Sequence, residues 1–168
     1  MQTLELGNSK NLRSINSTLQ SASSGSFKIT RPEGLHAISV GLSSQIDVEI
    51  DGHVGYYCAG MNQKASVRIN GNAGQGLAEN IMSGTVRVTG NASAAAGATG
   101  CGGMIVIEGN ASSRCGISMK GVNIVVAGSV GHMSAFMAQA GSLVICGDAG
   151  AYLGDSIYET IVYVAGKV

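Results

Sequence analysis

Leu143–Asp155 reads LVICGDAGAYLGD: aliphatic residues at alternating positions, then three glycines at spacings of three and four, flanked by two aspartates. A glycine-rich loop beside carboxylates could cradle a phosphate or a metal. The same letters could equally be the corner of a repeated backbone turn. The residues 19 positions away decide between the two. The pattern aliphatic-x-aliphatic-x-Gly begins at Val48, Val67, Val86, Ile105, Ile124, Leu143 and Val162, each start 19 residues after the last. It closes on Gly52, Gly71, Gly90, Gly109, Gly128, Gly147 and Gly166, with no insertion anywhere. Gly147 is the sixth of seven equivalent glycines, so the stretch belongs to a repeat, and repeats of this length mark solenoids.

Alternation with period two makes each unit a short strand with one face buried. The glycine after it is expected to supply the backbone freedom of a corner. Two further small-residue columns follow: Gly55, Gly74, Ser93, Ser112, Gly131, Gly150, and Ala59, Ala78, Gly97, Gly116, Ala135, Gly154. A strand and corners repeated at constant length describe an all-β chain, a single parallel β-helix of 19-residue coils with six to seven turns. At the ~4.8 Å spacing of paired strands this is a rod roughly 30 Å long. A period of 19 disfavours the hexapeptide left-handed form, and the general handedness of parallel crossovers predicts a right-handed one. The expected inward columns are Val48, Val67, Val86, Ile105, Ile124, Leu143, Val162, and beside them Ile50, Ile69, Val88, Ile107, Val126, Ile145, Val164.

Composition agrees with an ordered chain of many corners. The 168 residues include 26 glycines, one proline and no tryptophan, and only 12% are charged. Ten basic residues balance ten acidic ones, which removes the electrostatic case for nucleic acid or a charged membrane surface. No apolar h-region follows Met1, and no stretch is long enough for a membrane span, so a cytoplasmic location is expected. Cys58, Cys101, Cys115 and Cys146 show no CxxC spacing and read as buried free thiols.

Residues 1–45 depart from the repeat and are expected to form an N-terminal helix and cap, with the β-helix over 46–168. Leu12, Ile15 and Leu19 fall on one helical face, with Asn8 or Ser9 as N-cap. At the other end the chain stops at Val168, just past its seventh glycine. The edge of that unfinished coil is expected to need closing, by more chain or by a partner.

The outward residues change character along the rod. One column reads Glu49, Arg68, Arg87, then Val106, Val125, Val144, Tyr163; the next reads Asp51, Asn70, Thr89, Glu108, then Ala127, Cys146, Ala165. A rung-to-rung ion pair between Glu49 and Arg68 is expected, with little energetic weight. The apolar half reads as a partner interface, with packing under the chain's own terminus as the other reading. His132, Phe136, Asp155 and Tyr158 are further candidates for that interface. No catalytic, cofactor-binding or metal residue is expected. The three histidines occupy different places in the coil, no Walker lysine follows a glycine run, and no nucleophile–base or paired-carboxylate arrangement is visible.

The unit G-x-x-G-x-x-x-G, complete in GDAGAYLG and present with Ala or Ser in GHVGYYCA, GNAGQGLA, GNASSRCG and GSVGHMSA, resembles the GXGXG-motif β-helix that ends the large subunit of glutamate synthases. The resemblance covers residues 46–168. Among stand-alone subunits the chain is most similar to the small β-helix subunits of N-methylglutamate synthases (methylamine–glutamate N-methyltransferases). GSVGHMSAFMAQAGSLVICGDAGAYLGDSIYE is the stretch that carries this most specifically. The resemblance implies a non-catalytic structural subunit. It would brace a glutamine amidotransferase-like subunit and a second subunit carrying FMN and an iron–sulfur cluster. The complex would convert methylamine and L-glutamate to N-methyl-L-glutamate and ammonia. The β-helix subunit of formylmethanofuran dehydrogenases is a more distant resemblance, and an independent β-helix binding module is the remaining alternative.

Overall fold

A computed structural model describes residues 1–168. Nine strands form one sheet in sequence order, every neighbouring pair parallel. They are β1 (Gln2–Glu5), β2 (Ser24–Thr30), β3 (Gln45–Asp51), β4 (Ser66–Asn70), β5 (Thr85–Val88), β6 (Met104–Ile107), β7 (Lys120–Val126), β8 (Ala140–Ile145) and β9 (Ile161–Val164). One helix, α1 (Ser9–Ser21), lies between β1 and β2. The chain is a β-solenoid of about seven turns.

Register follows the sequence repeat. Val48, Val67, Val86, Ile105, Ile124, Leu143 and Val162 are direct partners from β3 to β9, as are Ile50, Ile69, Val88, Ile107, Val126, Ile145 and Val164. Both columns are buried through β8 and half-buried at β9, and they form one core cluster with residues from the far side of each coil. A second, single-residue ladder runs Val54–Ala73–Ala92–Ala111–Val130–Ala149.

The repeat glycines do something other than supply backbone freedom. Gly52 alone among them has a positive φ, 130°. From Gly90 onward each donates its N–H to the carbonyl of the glycine one coil earlier, at 2.9–3.0 Å. A Cβ on Gly109 would lie 2.7 Å from the Gly90 carbonyl oxygen, and one on Gly71 2.6 Å from that of Gly52. Glycine is therefore required because two backbones stack in contact there, not because the backbone is left-handed. Immediately after this column runs an unbroken side-chain ladder. The N–H of Asn72 donates to His53 Nδ1, that of Asn91 to Asn72 Oδ1, and that of Asn110 to Asn91 Oδ1. The ladder continues from Ser129 to Asn110 Oδ1, from Asp148 to Ser129 Oγ, and from Lys167 to Asp148 Oδ1, every bond being 2.8–2.9 Å.

Left-handed backbone is concentrated elsewhere, in an arc on another side of each coil. Tyr57, Ala59 and Met61 have φ of 58°, 55° and 54°, and the same alternate-residue triplet recurs at Met133, Ala135 and Met137. The middle residue is the Ala59/Ala78/Gly97 column and faces the core, where only a small side chain fits. Its N–H donates to the preceding coil, as from Ala78 to Cys58 O and Ala135 to Cys115 O, both 2.8 Å. The outer two donate to the following coil, as from Met133 to Ala151 O and Met137 to Asp155 O, both 2.9 Å. Each arc is thus stitched to both neighbours.

The N-terminal residues add strands as well as a helix. β2 pairs with β3 over seven residues, from Ser24↔Gln45 to Thr30↔Asp51, so the sheet runs unbroken across residue 45, and this coil takes 21 residues rather than 19. In α1 the Asn8 side chain caps the Lys10 N–H at 3.0 Å, and Ile15 and Leu19 are buried. Asn16 sits over the first arc: its Nδ2 donates to Ala37 O and its Oδ1 accepts from Ser39 N, both at 2.8 Å. Ser39 is the middle residue of that arc, so Asn16 supplies the acceptor that a preceding coil supplies elsewhere.

Two glycine-to-alanine substitutions separate the two roles. Gly109→Ala places its methyl against backbone and should cost about 1–3 kcal/mol, the range for overpacking. Gly154→Ala, left-handed at φ 66° but with no heavy atom nearer than 3.6 Å, should cost only about 1 kcal/mol, the low end of the left-handed penalty, in a conformation that alanine also holds at Ala59, Ala78 and Ala135. Urea melts of the two variants should rank in that order.

Candidate partner interface

The outward face of the sheet carries two chemistries. Over β2–β5 it is a polar network. Lys28 Nζ lies 2.7 Å from Asp51 and 3.2 Å from Glu49. Asn70 Nδ2 donates to Asp51 at 2.8 Å and Arg87 pairs with Glu108 at 2.6 Å. The expected Glu49–Arg68 pair is not formed. Glu49 turns to Lys28 on the preceding rung, and Arg68 Nε donates to Asn70 Oδ1 on its own strand at 3.0 Å. Lys28 and Asn70 hold the Asp51 carboxyl below its ordinary value, and Asp51 and Glu49 raise the Lys28 ammonium.

From β6 onward the same column becomes apolar. Val106, Val125, Val144 and Tyr163 are consecutive partners in register, with Ala127, Cys146 and Ala165 exposed beside the last three. Each valine is half-buried by its neighbours in the column, and Tyr163, at the end, is 55% exposed. No element of the chain packs over this stripe.

The other candidates lie apart from it. His132 and Phe136 belong to the corner and arc of the next-to-last coil, where the His132 carbonyl accepts from Arg114 N and that of Phe136 from Ser118 N. Asp155 and Tyr158 stand on the last coil, exposed. Ile161 has a signal that the sequence reading passed over. Its outward column runs Asp47, Ser66, Thr85, Met104, Asn123, Ser142 and then Ile161, mostly polar until an isoleucine that is 55% exposed.

The remaining chemistry-bearing residues are occupied by structure. His36 stacks on Tyr56 at 4.3 Å and accepts the Tyr56 N–H, while His53 starts the side-chain ladder. Cys58 and Cys115 are in the core, and burial pushes their thiols up to about 12, so they stay protonated and inert. Cys101 and Cys146 are exposed, contrary to the expectation that all four are buried, because their columns point outward. No three His, Cys, Asp or Glu side chains converge. No helix is long and apolar enough to cross a membrane.

The fold and this face define a parallel β-solenoid with an uncovered apolar stripe. No family model and no solved structure matches the chain. A stretch of 49 residues is 54% identical to Protein GlxC of Rhizobium meliloti (strain 1021); it makes up 29% of this chain and 22% of GlxC.

The Lys28–Asp51 pair sets a pH dependence. Because the folded Asp51 carboxyl lies below its usual 3.8, its contribution to stability is complete above that value and is lost as pH falls through the lowered one. The raised Lys28 ammonium loses its contribution only above 10.5, as pH climbs through its raised value. Asp51→Asn should therefore melt below the wild type at neutral pH, with the gap closing well below pH 3.8 in thermal scans.

Proposed function

We propose that this chain is a non-catalytic structural subunit of a glutamate-synthase-like complex, and specifically of an N-methylglutamate synthase. It would brace an amidotransferase-like subunit and an FMN- and iron–sulfur-bearing subunit while methylamine and L-glutamate become N-methyl-L-glutamate and ammonia. The observation that carries this reading is the uncovered stripe Val106–Val125–Val144–Tyr163 on an otherwise regular rod. Exposed apolar surface of this kind marks a protein interface. The G-x-x-G-x-x-x-G resemblance supports the choice of complex, and the partial similarity to GlxC is loosely consistent with it.

In this reading the redox and amine chemistry belongs to the partners, and no residue of this chain holds their cofactors. The chain contributes stiffness: its parallel rungs, joined by hydrogen bonds on several sides of the coil, hold two bound subunits at a fixed separation. A cytoplasmic place for the complex is part of the proposal.

Co-expression with the amidotransferase-like and flavin-bearing subunits, followed by affinity purification through this chain, tests it. Flavin absorbance should co-elute with the wild type. Val125→Glu with Val144→Glu should reduce co-elution at least ~10-fold, the equivalent of losing about 1.4 kcal/mol, while circular dichroism of the rod stays unchanged. A colourless chain that retains neither subunit would overturn the reading.

A further inference from the structure

Tyr56 and Tyr57 open the arc that follows β3, and Gln75 and Gly76 are their counterparts 19 residues on, after β4. With Glu79 these four line a groove of about 210 Å³ into which no lysine or arginine projects. The segment around His36 lies one coil before Tyr56, joined to it by Ala37 N donating to Tyr56 O at 2.7 Å. His36 covers one face of the Tyr56 ring, with centroids 4.3 Å apart and planes 12° from parallel, and Tyr56 still stays 59% exposed. Gln75 follows in the same column on the other side, so the ring face turned away from His36 looks into the groove. Tyr57 is oriented by a chain of side chains: Thr99 Oγ1 donates to Asn80 Oδ1, and Asn80 Nδ2 donates to the Tyr57 hydroxyl.

Gly76 is the floor. Its φ is 70°, yet Tyr57, Ala95, Arg114, Met133 and Tyr152 hold the same column at 55–60°, so the backbone does not demand glycine there. What glycine provides is space: a Cβ on Gly76 would lie 2.8 Å from Glu79 Oε2. The missing side chain lets the Glu79 carboxylate fold in over the floor, half-buried. None of the five ion pairs of the chain includes it. A carboxylate partly withdrawn from water and without a counter-charge favours a cation from outside.

We propose that this groove binds a small organic ammonium group, seated between the open face of Tyr56 and the Glu79 carboxylate. The ring quadrupole attracts a cation held over its face, and the carboxylate supplies the opposite charge. A volume of about 210 Å³ is below the ~300 Å³ at which pockets for drug-sized ligands begin, so the occupant is a head group of a few heavy atoms. A neutral sugar could also stack on Tyr56, but it would leave Glu79 without a counter-charge, and that selects the cation. A free alkylammonium ion and the lysine side chain of a protein partner present the same chemistry. The groove is on the arc, not on the outward face of the sheet that carries the apolar stripe, and the proposal does not depend on the amine-transferring reading.

NMR titration of the full chain at constant ionic strength tests it, with choline, methylammonium and Nα-acetyl-lysine methylamide as probes. The amides of Tyr56, Tyr57, Gln75, Gly76 and Glu79 should shift together and saturate, with a dissociation constant of roughly millimolar order. The alcohol in which carbon replaces the nitrogen of choline has the same shape without the charge, and should bind at least ~10-fold more weakly. Glu79→Gln should weaken choline at least ~5-fold. Gly76→Ala, in a conformation that alanine holds at Ala95, should abolish binding while the circular dichroism spectrum is kept. Tighter binding of the lysine derivative than of choline and methylammonium would assign the groove to a partner's side chain; the reverse order would assign it to a free ion. Absence of saturable shifts, equal binding of the uncharged alcohol, or binding indifferent to Glu79→Gln would each overturn the proposal.

Discussion

The contact on which the rest of this molecule depends is backbone on backbone at the repeat glycine. Gly90, Gly109, Gly128, Gly147 and Gly166 each hydrogen-bond to the glycine beneath, at a separation that leaves no room for a Cβ. That approach brings the next residue close enough for its side-chain acceptor to reach the backbone N–H one coil above. The ladder from His53 to Lys167 follows, although its side chains lie on the surface. It also fixes coil length. One residue gained or lost between successive glycines would turn the aliphatic columns of β3–β9 to the wrong face.

Most of the architecture was legible because it repeats without error. The seven glycines, both inward columns and the parallel register can be read from spacing alone. What was not legible depended on contacts that spacing does not encode. The residue after each glycine varies among His, Asn, Ser, Asp and Lys, and so looks like ordinary turn polarity; its role appears only when the coils are stacked. Asp148, whose carboxylate suggested a metal ligand, is one member of that series and accepts the Lys167 N–H. The Glu49–Arg68 pairing failed because Lys28, on a strand outside the 19-residue period, competes for the same carboxylate.

The candidate interface was legible in part. The change from Arg87 to Val106 marks where the outward face becomes apolar, and the register keeps those residues in one line. His132 and Phe136 do not join that line, because corner and arc lie on other sides of the coil. The outward face of the sheet is thus polar along its first half and apolar along its second, and a helix lies over the first coil. In the proposed reading, stiffness and the apolar stripe are what a scaffold between two subunits requires.

Amide hydrogen exchange followed by NMR tests the stacking directly. The backbone amides of Asn91, Asn110, Ser129 and Asp148 belong to surface residues, Ser129 half-buried and the others exposed, and their only acceptors are side chains one coil away. If the coils stack as described, these four amides exchange slowly, alongside those of the glycine column, and open only with the rod as a whole. Exchange at the rate of an unstructured peptide, with the strand amides still protected, would contradict the stacking on which this account rests.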